Sequence, residues 1–381
     1  MFHPRAAHDE HVLKQEGWHY ELNNVDDDLE FKGVVYNEMK GVYSNAESLM
    51  GRRAQQLLFP DVRAYHVDSG GDPEEIPNLT YEKFLDFYHK FYSPSNARVW
   101  MYGDHDEMDR LSFVDERLTA ALSADDQGAA PGHLSLFDAL ESAAVSRIDH
   151  KPLKTLQQWH KYPYAATSEQ MNEHFVSVNW VCTGAEPLSE LDSLLVSVLD
   201  HLLVGNSASL LQKLLTESGL GTRVIDDGFD FTLQQGVFSV GMAGVPNGSQ
   251  QELVDLVLLA LEQASLFAKN GSFRHAEVPD TFVADLADAT MEASNRYHRQ
   301  LVGVDAISTL VNASFSESAI EAAINILEFR MRELKSSRPR GLTLMLSVMR
   351  RWNYDRSPFD GTATKKHCHK ALSFNASDTF H

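Results

Sequence analysis

The sequence contains very little cysteine and no long hydrophobic run. Its 381 residues include only two cysteines, Cys182 and Cys368. Two cysteines are too few for a disulfide framework or a cysteine-based zinc site, which indicates a reducing compartment. The longest apolar candidate, residues 253–261, is far shorter than the roughly 20 residues that cross a bilayer and contains Asp255. It predicts a buried helix, and we expect no membrane association.

Positively charged residues are also scarce. Lysine and arginine together number 33 against 54 acidic residues, which gives a formal net charge of -21. Nucleic-acid binding requires clustered lysine and arginine, so this balance excludes it as an expected function. An acidic surface would attract basic peptides, although the same charge also has the simpler interpretation that it maintains solubility.

The first residues do not have the composition of a targeting segment. Residues 1–5, MFHPR, lead directly into Asp9 and Glu10 without the apolar core of a signal peptide. Either the protein acts where it is made, or its true start lies upstream. The motifs described below favour the second interpretation.

Hydrophobic periodicity predicts that helices and strands alternate in both halves of the chain. The register of residues 31–43 is ambiguous. Helices are predicted at 8–22, 46–58, 81–91 after a Thr80 cap, 188–204, 207–218 before Gly219, 250–268, 316–334 and 342–352. Strands are predicted at 97–103, 174–181 and 237–245. The fold class is therefore α/β or α+β, with two domains of similar size.

No stretch of the sequence carries a zinc-peptidase motif. Such enzymes need two histidines one helical turn apart and an adjacent acid, but neither His-Glu-x-x-His nor the inverse His-x-x-Glu-His occurs. The run HDEH at 8–11 has the wrong spacing, and QMNEH at 170–174 has glutamine in place of the first histidine. The run HCH at 367–369 could bind a stray metal near the end of the chain. We interpret all three as chance matches.

Other catalytic signatures are missing too. There is no Gly-x-Ser-x-Gly elbow, no P-loop and no dinucleotide-binding glycine pattern after a strand. Cys182 ends an apolar strand pattern, so we expect it in the core rather than as a nucleophile. Local chemistry alone indicates no more than a soluble two-domain protein.

Eight longer motifs nevertheless occur in a fixed order. They are QEGWHYEL at 15–22, FKGVVYNEMKG at 31–41, VDSGGDP at 67–73, SPSNAR at 93–98, VNW at 178–180, LDHLL at 199–203, LTESGLG at 215–221 and PRGL at 339–342. Together they closely resemble the presequence proteases of mitochondria and plastids. These are pitrilysin-like (inverzincin) zinc metalloendopeptidases that include the falcilysin-type enzymes. The resemblance covers residues 1–360, apart from one interruption.

The resemblance implies a fold. Its domains are α+β, with a mixed sheet packed against helices in two layers, and four of them form two clamshell halves around a peptide-digesting chamber. This chain would be an internal fragment of the N-terminal half. It would supply the C-terminal part of the first, zinc-bearing domain in 1–123, a linker in 124–150 and the second domain in 151–361. Residues 272–314 do not resemble the family and are interpreted as an atypical insertion, either genuine or a retained intron. Residues 362–381 do not resemble it either and are interpreted as an atypical tail.

The resemblance also implies one metal-ligating residue, Glu38, which corresponds to the distal third ligand of the zinc ion. Two histidines and one carboxylate would leave an open zinc position for water. In the family the His-x-x-Glu-His motif lies upstream and supplies two ligands and the general base, so no catalytic residue is expected here. We therefore expect the isolated chain neither to bind catalytic zinc nor to cleave peptides.

Two functional hypotheses remain open. In the first, the chain is part of a zinc metalloendopeptidase that degrades short unstructured peptides, such as cleaved presequences, in the mitochondrial matrix or plastid stroma. In the second, it is a non-catalytic homologue that binds peptides or partner proteins. The expected partners are basic peptides and the missing C-terminal half of the clamshell, and neither nucleic acid nor a membrane is expected.

Overall fold

The computed structural model describes residues 4–92, 97–125, 159–166, 173–182, 190–233, 235–269, 310–333 and 340–352. They form two units, one drawn from Met1–Leu153 and Gly341–Met349, the other from Lys154–Arg340 and Arg350–His381. Helices combine with antiparallel sheets in both units, which confirms the predicted α+β class. Of the predicted linker only residues 124–125 are described, at the end of a helix, and the predicted tail lies outside the described residues.

The elements follow one another in a simple order along the chain. The first unit contains α1 (Glu10–Glu16), β1 (His19–Glu21), β2 (Glu30–Lys32), α2 (Val34–Ser44), α3 (Ala46–Leu58), α4 (Arg63–His66), α5 (Tyr81–Phe91) and α6 (Glu107–Asp125), with short 3-10 helices at Arg5–Ala7 and Ile76–Asn78. The second contains β3 (Glu173–Val181), α7 (Glu190–Leu203), α8 (Leu210–Ser218), β4 (Arg223–Asp230), β5 (Val237–Pro246), α9 (Gln250–Lys269) and α10 (Glu317–Glu333). The last helix, α11 (Arg340–Trp352), contributes most of its length to the first unit.

Side-chain caps set the starts of several helices in the first unit. The Asp9 carboxylate accepts a hydrogen bond from the His11 backbone N–H at the start of α1. Asn45 accepts one from the Ser48 N–H at 2.9 Å and so separates α2 from α3. As predicted, Thr80 caps α5: its hydroxyl accepts a hydrogen bond from the Lys83 N–H. Each cap satisfies a backbone donor that the first turn of a helix leaves free.

Two predictions in the first unit are wrong. The helix expected over 8–22 ends at Glu16, because Gly17 leaves the helical conformation and residues 19–21 pair with 30–32 in an antiparallel hairpin. The strand expected at 97–103 has no regular secondary structure and no strand partner among the described residues. Its apolar run, Val99 to Tyr102, is typical of a strand, but a strand also needs a neighbour for its backbone hydrogen bonds.

The second unit is built on a three-stranded antiparallel sheet with the order β3-β5-β4. Both outer strands pair with β5, which places Trp180 opposite Phe238 on one side and Phe229 opposite Phe238 on the other. A bulge in β4 between Asp226 and Gly228 shifts the register. The predicted strands at 174–181 and 237–245 are confirmed within one residue, whereas β4 was not predicted.

Helices cover one face of this sheet and bury the main core. Leu210, Leu211, Leu214 and Leu215 of α8 are all buried, and they pack with apolar residues of the sheet and of α9 in a single cluster. The described end of the predicted insertion contributes Leu310 and Val311 to the same cluster. The rest of that segment, to residue 309, lies outside the described residues. None of the described helices has the length and apolar content needed to span a membrane.

We predict that truncating the buried face of α9 destabilises the second unit. Leu253 is 0% exposed and Leu258, on the same helix, is 37% exposed. Leu253→Ala should lower the free energy of unfolding by about 2–5 kcal/mol, because it removes buried methyl groups and leaves a cavity. Leu258→Ala should cost at most about 1 kcal/mol.

Urea denaturation followed by circular dichroism would measure both changes. Hydrogen exchange in peptides from β5 would locate them in the second unit. Equal losses for the two variants would contradict this description of the core.

Candidate functional site

Helix α2 carries the one residue for which the sequence implies a metal-binding role. Its inward face places Tyr36 and Met39 in a small buried cluster, with Tyr43 packed against it. Glu38 is exposed. Val34 lies one helical turn before it and Val42 one turn after it. Both valines are also exposed. Because residues four apart share a helix face, Glu38 lies in the middle of an apolar stripe on the outer side of α2.

The start of α2 is fixed by a close approach of two backbone segments. Gly33 precedes the helix with a φ of 141°, a conformation that favours glycine. A side chain at Gly33 would overlap with the carbonyl group of Gly17 and the backbone of Trp18. The same Gly17 carbonyl accepts a hydrogen bond from the Tyr36 N–H at 3.2 Å. Two glycines from separate family-like motifs therefore determine where α2 begins.

Aromatic and aliphatic side chains then hold the inner face of α2. The Trp18 indole N–H donates to the Leu79 carbonyl oxygen at 3.0 Å, and its ring packs against the cluster that contains Tyr36, Met39 and Ile76. Gly70 lies against the Met39 sulfur so closely that a side chain there would overlap with it. The turn around Gly70 thus packs against the buried face of α2.

An arginine ties α3 to the same turn. The Arg52 guanidinium forms an ion pair with Asp68 and lies over the Tyr43 ring, 4.4 Å from its centroid. Asp68 also accepts a hydrogen bond from the Gly70 N–H at 3.1 Å. Burial raises the pKa of the Tyr43 hydroxyl. Stacking on an aromatic face and pairing with a carboxylate are both typical of arginine.

These contacts bring three of the motifs together. QEGWHYEL at 15–22 supplies Gly17 and Trp18, FKGVVYNEMKG at 31–41 supplies α2, and VDSGGDP at 67–73 supplies Asp68 and Gly70. They are separated in the sequence but all contact the inner side of one helix. The outer side, with Glu38, remains open to solvent.

The described residues do not complete a metal site. No group of three or more histidine, cysteine or acidic side chains that could hold a metal ion occurs among them. A zinc site requires at least three protein ligands, and α2 offers a single carboxylate.

The partial motifs have structural positions. Asp9, in the HDEH run, caps α1 and accepts hydrogen bonds from Arg5 and from the His11 ring. His174 lies in strand β3 and not on a helix, which is where the inverse zinc motif would need it. Residues 367–369 lie outside the described residues. Cys182 is exposed at the end of β3, so the prediction that it lies in the core is wrong.

The motif LDHLL at 199–203 has a packing role. The Asp200 carboxylate accepts a hydrogen bond from the Phe229 N–H at 2.8 Å. Gly228, with a φ of 56°, lies so close to this carboxylate that a side chain would overlap with it. Burial raises the pKa of Asp200. This contact joins α7 to the bulge in β4.

Asp200, His201 and Ser209 are close in the fold but do not form a catalytic triad. The buried Ser209 hydroxyl donates to the His201 backbone carbonyl oxygen at 2.7 Å rather than to its ring. The ring Nε2 lies 3.2 Å from the Asn206 amide nitrogen. Burial lowers the pKa of the His201 imidazole. Since nucleophile and base do not contact each other, the group is structural.

A shallow cavity of 340 Å³ lies elsewhere in the first unit. It is formed by the extended segment at 97–102 and by α6. Four of its lining side chains are apolar, Val99, Met101, Leu111 and Val114, and two are charged, Glu107 and Arg110. No histidine, cysteine or hydroxyl side chain is among the described residues that line it, and we assign the cavity no role.

Fold and site together define an α+β protein in which several sequence motifs support one carboxylate-bearing helix. The sequence profile of the peptidase M16 inactive domain matches residues 78–278, and the chain belongs to the peptidase M16 family. This confirms the predicted relationship to the pitrilysin-like peptidases.

Individual relatives match nearly the whole chain. It is 35% identical to presequence protease 1, chloroplastic/mitochondrial, of Arabidopsis thaliana over 363 residues, or 94% of this chain and 28% of the relative. It is 30% identical to the protein HypA of Clostridium perfringens over 383 residues, or 100% of this chain and 32% of the relative. The mitochondrial presequence protease of Mus musculus is 30% identical over 91% of this chain and 28% of the relative.

The chain thus spans about three tenths of the length of the curated relatives that it matches. Among solved structures, a peptidase M16 inactive domain from Pseudomonas fluorescens aligns with a TM-score of 0.37 and 17% identity. That alignment covers 73% of this chain and 65% of the other.

We predict that a side chain at Gly33 displaces α2. Gly33→Ala should lower the free energy of unfolding by about 1–3 kcal/mol, because the backbone conformation is unfavourable for alanine and the methyl group meets the Gly17 carbonyl. Hydrogen exchange of the α2 amides should accelerate.

Gly41→Ala, in the same helix, is the matched control. A side chain there meets no atom within 4 Å, so stability should be unchanged or higher by up to about 1 kcal/mol. If the two variants were equally stable, the Gly17–Gly33 contact would not determine the position of α2.

Proposed function

We propose that this chain is part of a zinc metalloendopeptidase that degrades short unstructured peptides such as cleaved organellar presequences. Support comes from membership in the peptidase M16 family and from relatives named presequence proteases that match 94% and 91% of the chain. The activity would belong to a polypeptide that includes more than this chain, which spans only about three tenths of those relatives.

The single observation that carries this proposal is the support given to α2. Glycine contacts, an indole hydrogen bond and an arginine ion pair all act on its inner side. They fix the backbone of α2 and therefore the position from which Glu38 projects. A ligand helix needs such support, because metal ligands must be held in place by the residues around them.

Glu38 is the proposed ligand, and it would be the third protein ligand of the zinc ion. A carboxylate oxygen is a suitable zinc donor beside two neutral histidines. Val34 and Val42, exposed on either side of Glu38, would be covered when the remaining ligands pack against this face. The described residues form no group of three metal-ligating side chains, so no catalytic step is assigned to this chain.

The second hypothesis is a non-catalytic homologue that binds peptides or partner proteins. The matched profile is named for an inactive domain, which favours this alternative for the second unit in particular. In that case Glu38 would be an ordinary surface carboxylate.

Partners and location follow from the same proposal. The substrates would be unstructured peptides, with basic ones favoured by the net charge of -21. A further partner would be the C-terminal half of the clamshell. The compartment would be the mitochondrial matrix or plastid stroma, by analogy with relatives whose names place them in mitochondria or chloroplasts.

We predict that the purified chain contains no stoichiometric zinc and does not cleave peptides. One carboxylate cannot hold zinc against water and buffer. Metal analysis after gel filtration and a fluorogenic-peptide assay would check this. One zinc per chain together with turnover that a chelator abolishes would show that the chain is an enzyme by itself.

The role of Glu38 is best tested in the complete gene product. Sequencing of the full-length transcript should reveal an in-frame His-x-x-Glu-His upstream of residue 1. In the corresponding protein, Glu38→Gln should reduce zinc content and lower kcat/KM by at least about 100-fold, as expected for loss of a metal ligand.

Glu74→Gln is the matched control. Glu74 is also exposed in the first unit, and the substitution makes the same change of charge. If both variants kept zinc and activity, Glu38 would not be a ligand. A transcript that starts at Met1 would favour the non-catalytic alternative.

A further inference from the structure

The turn between α7 and α8 closes around a buried histidine. We call residues 204–209, which join the two helices, the α7–α8 turn. His201, in the last turn of α7, is 7% exposed. Its ring contacts two successive residues of the α7–α8 turn. Gly205 lies so close to the ring Nδ1 that a side chain there would overlap with it, and the Asn206 amide lies at Nε2.

The backbone fixes the orientation of the Asn206 amide. Its Oδ1 accepts a hydrogen bond from the Ala208 N–H at 2.8 Å, and only the oxygen end of a carboxamide can accept. The nitrogen end is therefore the one that lies 3.2 Å from Nε2 of His201. Because an amide nitrogen only donates, Nε2 must be an unprotonated acceptor, and the ring is neutral with its proton on Nδ1.

A second proton on the ring would break this contact. It would bind to Nε2, so that two N–H donors faced each other and neither had an acceptor. The Asn206 amide cannot correct this by rotating, because its nitrogen would then meet the Ala208 N–H. Protonation of His201 thus requires that the ring and the amide separate.

The same residues hold the start of α8 in place. The Asn206 N–H donates to the Ser209 hydroxyl at 3.0 Å, and this hydroxyl donates to the His201 carbonyl oxygen at 2.7 Å. The α7–α8 turn leads directly into Leu210 and Leu211, both of which are 0% exposed. The hydrogen bonds around the neutral ring are therefore continuous with the main core of the second unit.

The surroundings of the ring disfavour its charged form. Burial lowers the pKa of the His201 imidazole, the positive charge of Arg330 on α10 lowers it further, and Asp200 on α7 raises it. These are the two charged groups that act on the ring from the described part of the chain. The other charged side chains described on the elements that pack against α7 are Lys213 and Glu217 of α8, which pair with each other, Arg223 and Asp230 of β4, and Glu317, Glu321 and Glu328 of α10.

Acidification therefore works against the folded second unit through His201. Unfolded chain takes up a proton at this histidine near its ordinary pKa of 6.5, whereas the folded chain takes it up only at lower pH. The contribution of the neutral ring to stability is present above about pH 6.5 and is lost as the pH falls toward the lowered pKa. Asp200 acts in the opposite sense because burial raises its pKa, but its ordinary value is 3.8, so its effect lies further into acid.

We propose that His201 and Asn206 form a pH-sensitive contact, which keeps the α7–α8 turn closed and α8 in the core at neutral and alkaline pH and opens in mild acid. The open state would expose the leucines of α8. This device lies in the second unit and requires neither zinc nor peptidase activity.

The test is hydrogen exchange in peptides from α8 of the full chain, at about pH 7.5 and about pH 5.5, corrected for the intrinsic effect of pH on exchange. In the wild type the opening equilibrium constant of α8 should rise roughly tenfold over this interval, since the open state takes up one more proton. His201→Gln keeps an acceptor for Asn206 but cannot be protonated, so this rise should disappear. His160→Gln removes an exposed histidine of the same unit and, as the matched control, should behave as the wild type.

Asn206→Asp tests the same contact without changing the histidine. The aspartate keeps an oxygen for the Ala208 N–H and offers its second oxygen to a protonated ring. The opening constant of α8 should then stay level or fall on acidification. The pKa of His201, measured by NMR, should be higher in this variant than in the wild type. This measurement decides the matter even if His201→Gln does not fold.

Two results would overturn the proposal. One is a rise of the opening constant that is equal in the wild type and in His201→Gln. The other is an Asn206→Asp variant whose opening constant and His201 pKa match those of the wild type. Neither result affects the proposed peptidase function, which is tested separately by the zinc content of the complete gene product.

Discussion

The close approach of Gly17 and Gly33 is the constraint on which the candidate site depends. Because Gly33 has no side chain, the Gly17 carbonyl can lie against it and reach the Tyr36 N–H, and the chain can enter α2 with a φ that favours glycine. The direction of α2 then decides which of its faces is buried. Tyr36 and Met39 turn inward, and Glu38 is left on the outer face by the period of the helix. The position of Glu38 is therefore fixed mainly by glycine and apolar residues, none of which could bind a metal ion.

The two units differ in how they use apolar side chains. In the second, four leucines of α8 and the centre of β5 are buried in one continuous cluster. Among the described residues of the first, a small cluster of Tyr36, Met39 and Ile76 is buried, and Phe59, Val62 and Tyr65 are buried as well. Large apolar side chains are exposed on its helices, among them Phe87, Phe91, Met108, Leu111 and Phe113. Exposed apolar area of this kind is usually covered by other protein. The described part of the first unit thus exposes more large apolar side chains than the second.

Sequence reasoning succeeded where a local signal determined the element. The predicted Thr80 cap and Gly219 stop are both observed, so the start of α5 and the end of α8 follow from local signals. The start of α3 was also predicted correctly, and the structure shows that Asn45 caps it. Sequence reasoning failed where pairing between distant segments decided the outcome. The apolar run in 97–103 is strand-like but lacks a strand partner in the described part of the chain. Strand β4 contains Asp226, Asp227 and Gly228, which obscure its pattern, and only its pairing with β5 shows that it is a strand.

For the site, the sequence could identify Glu38 only by resemblance. A single glutamate on an amphipathic segment is usually a solvated surface residue. No local pattern could show that glycine, tryptophan and arginine contacts from three motifs converge behind it, since these contacts join residues far apart in the chain.

Because Glu38 is exposed, its carboxylate places no desolvation cost on α2. Burying an unpaired carboxylate in an apolar environment would cost several kcal/mol, and the group would become protonated or move. A solvated carboxylate carries no such penalty, so the packing behind α2 can hold the helix whether or not other ligands are present. Structural zinc sites behave differently, because there the metal supplies much of the folding free energy. If Glu38 is a zinc ligand as proposed, folding of α2 would be separable from metal binding. A homologue without the other ligands would then keep the same helix, so the local structure around Glu38 fits both the peptidase and the non-catalytic hypothesis.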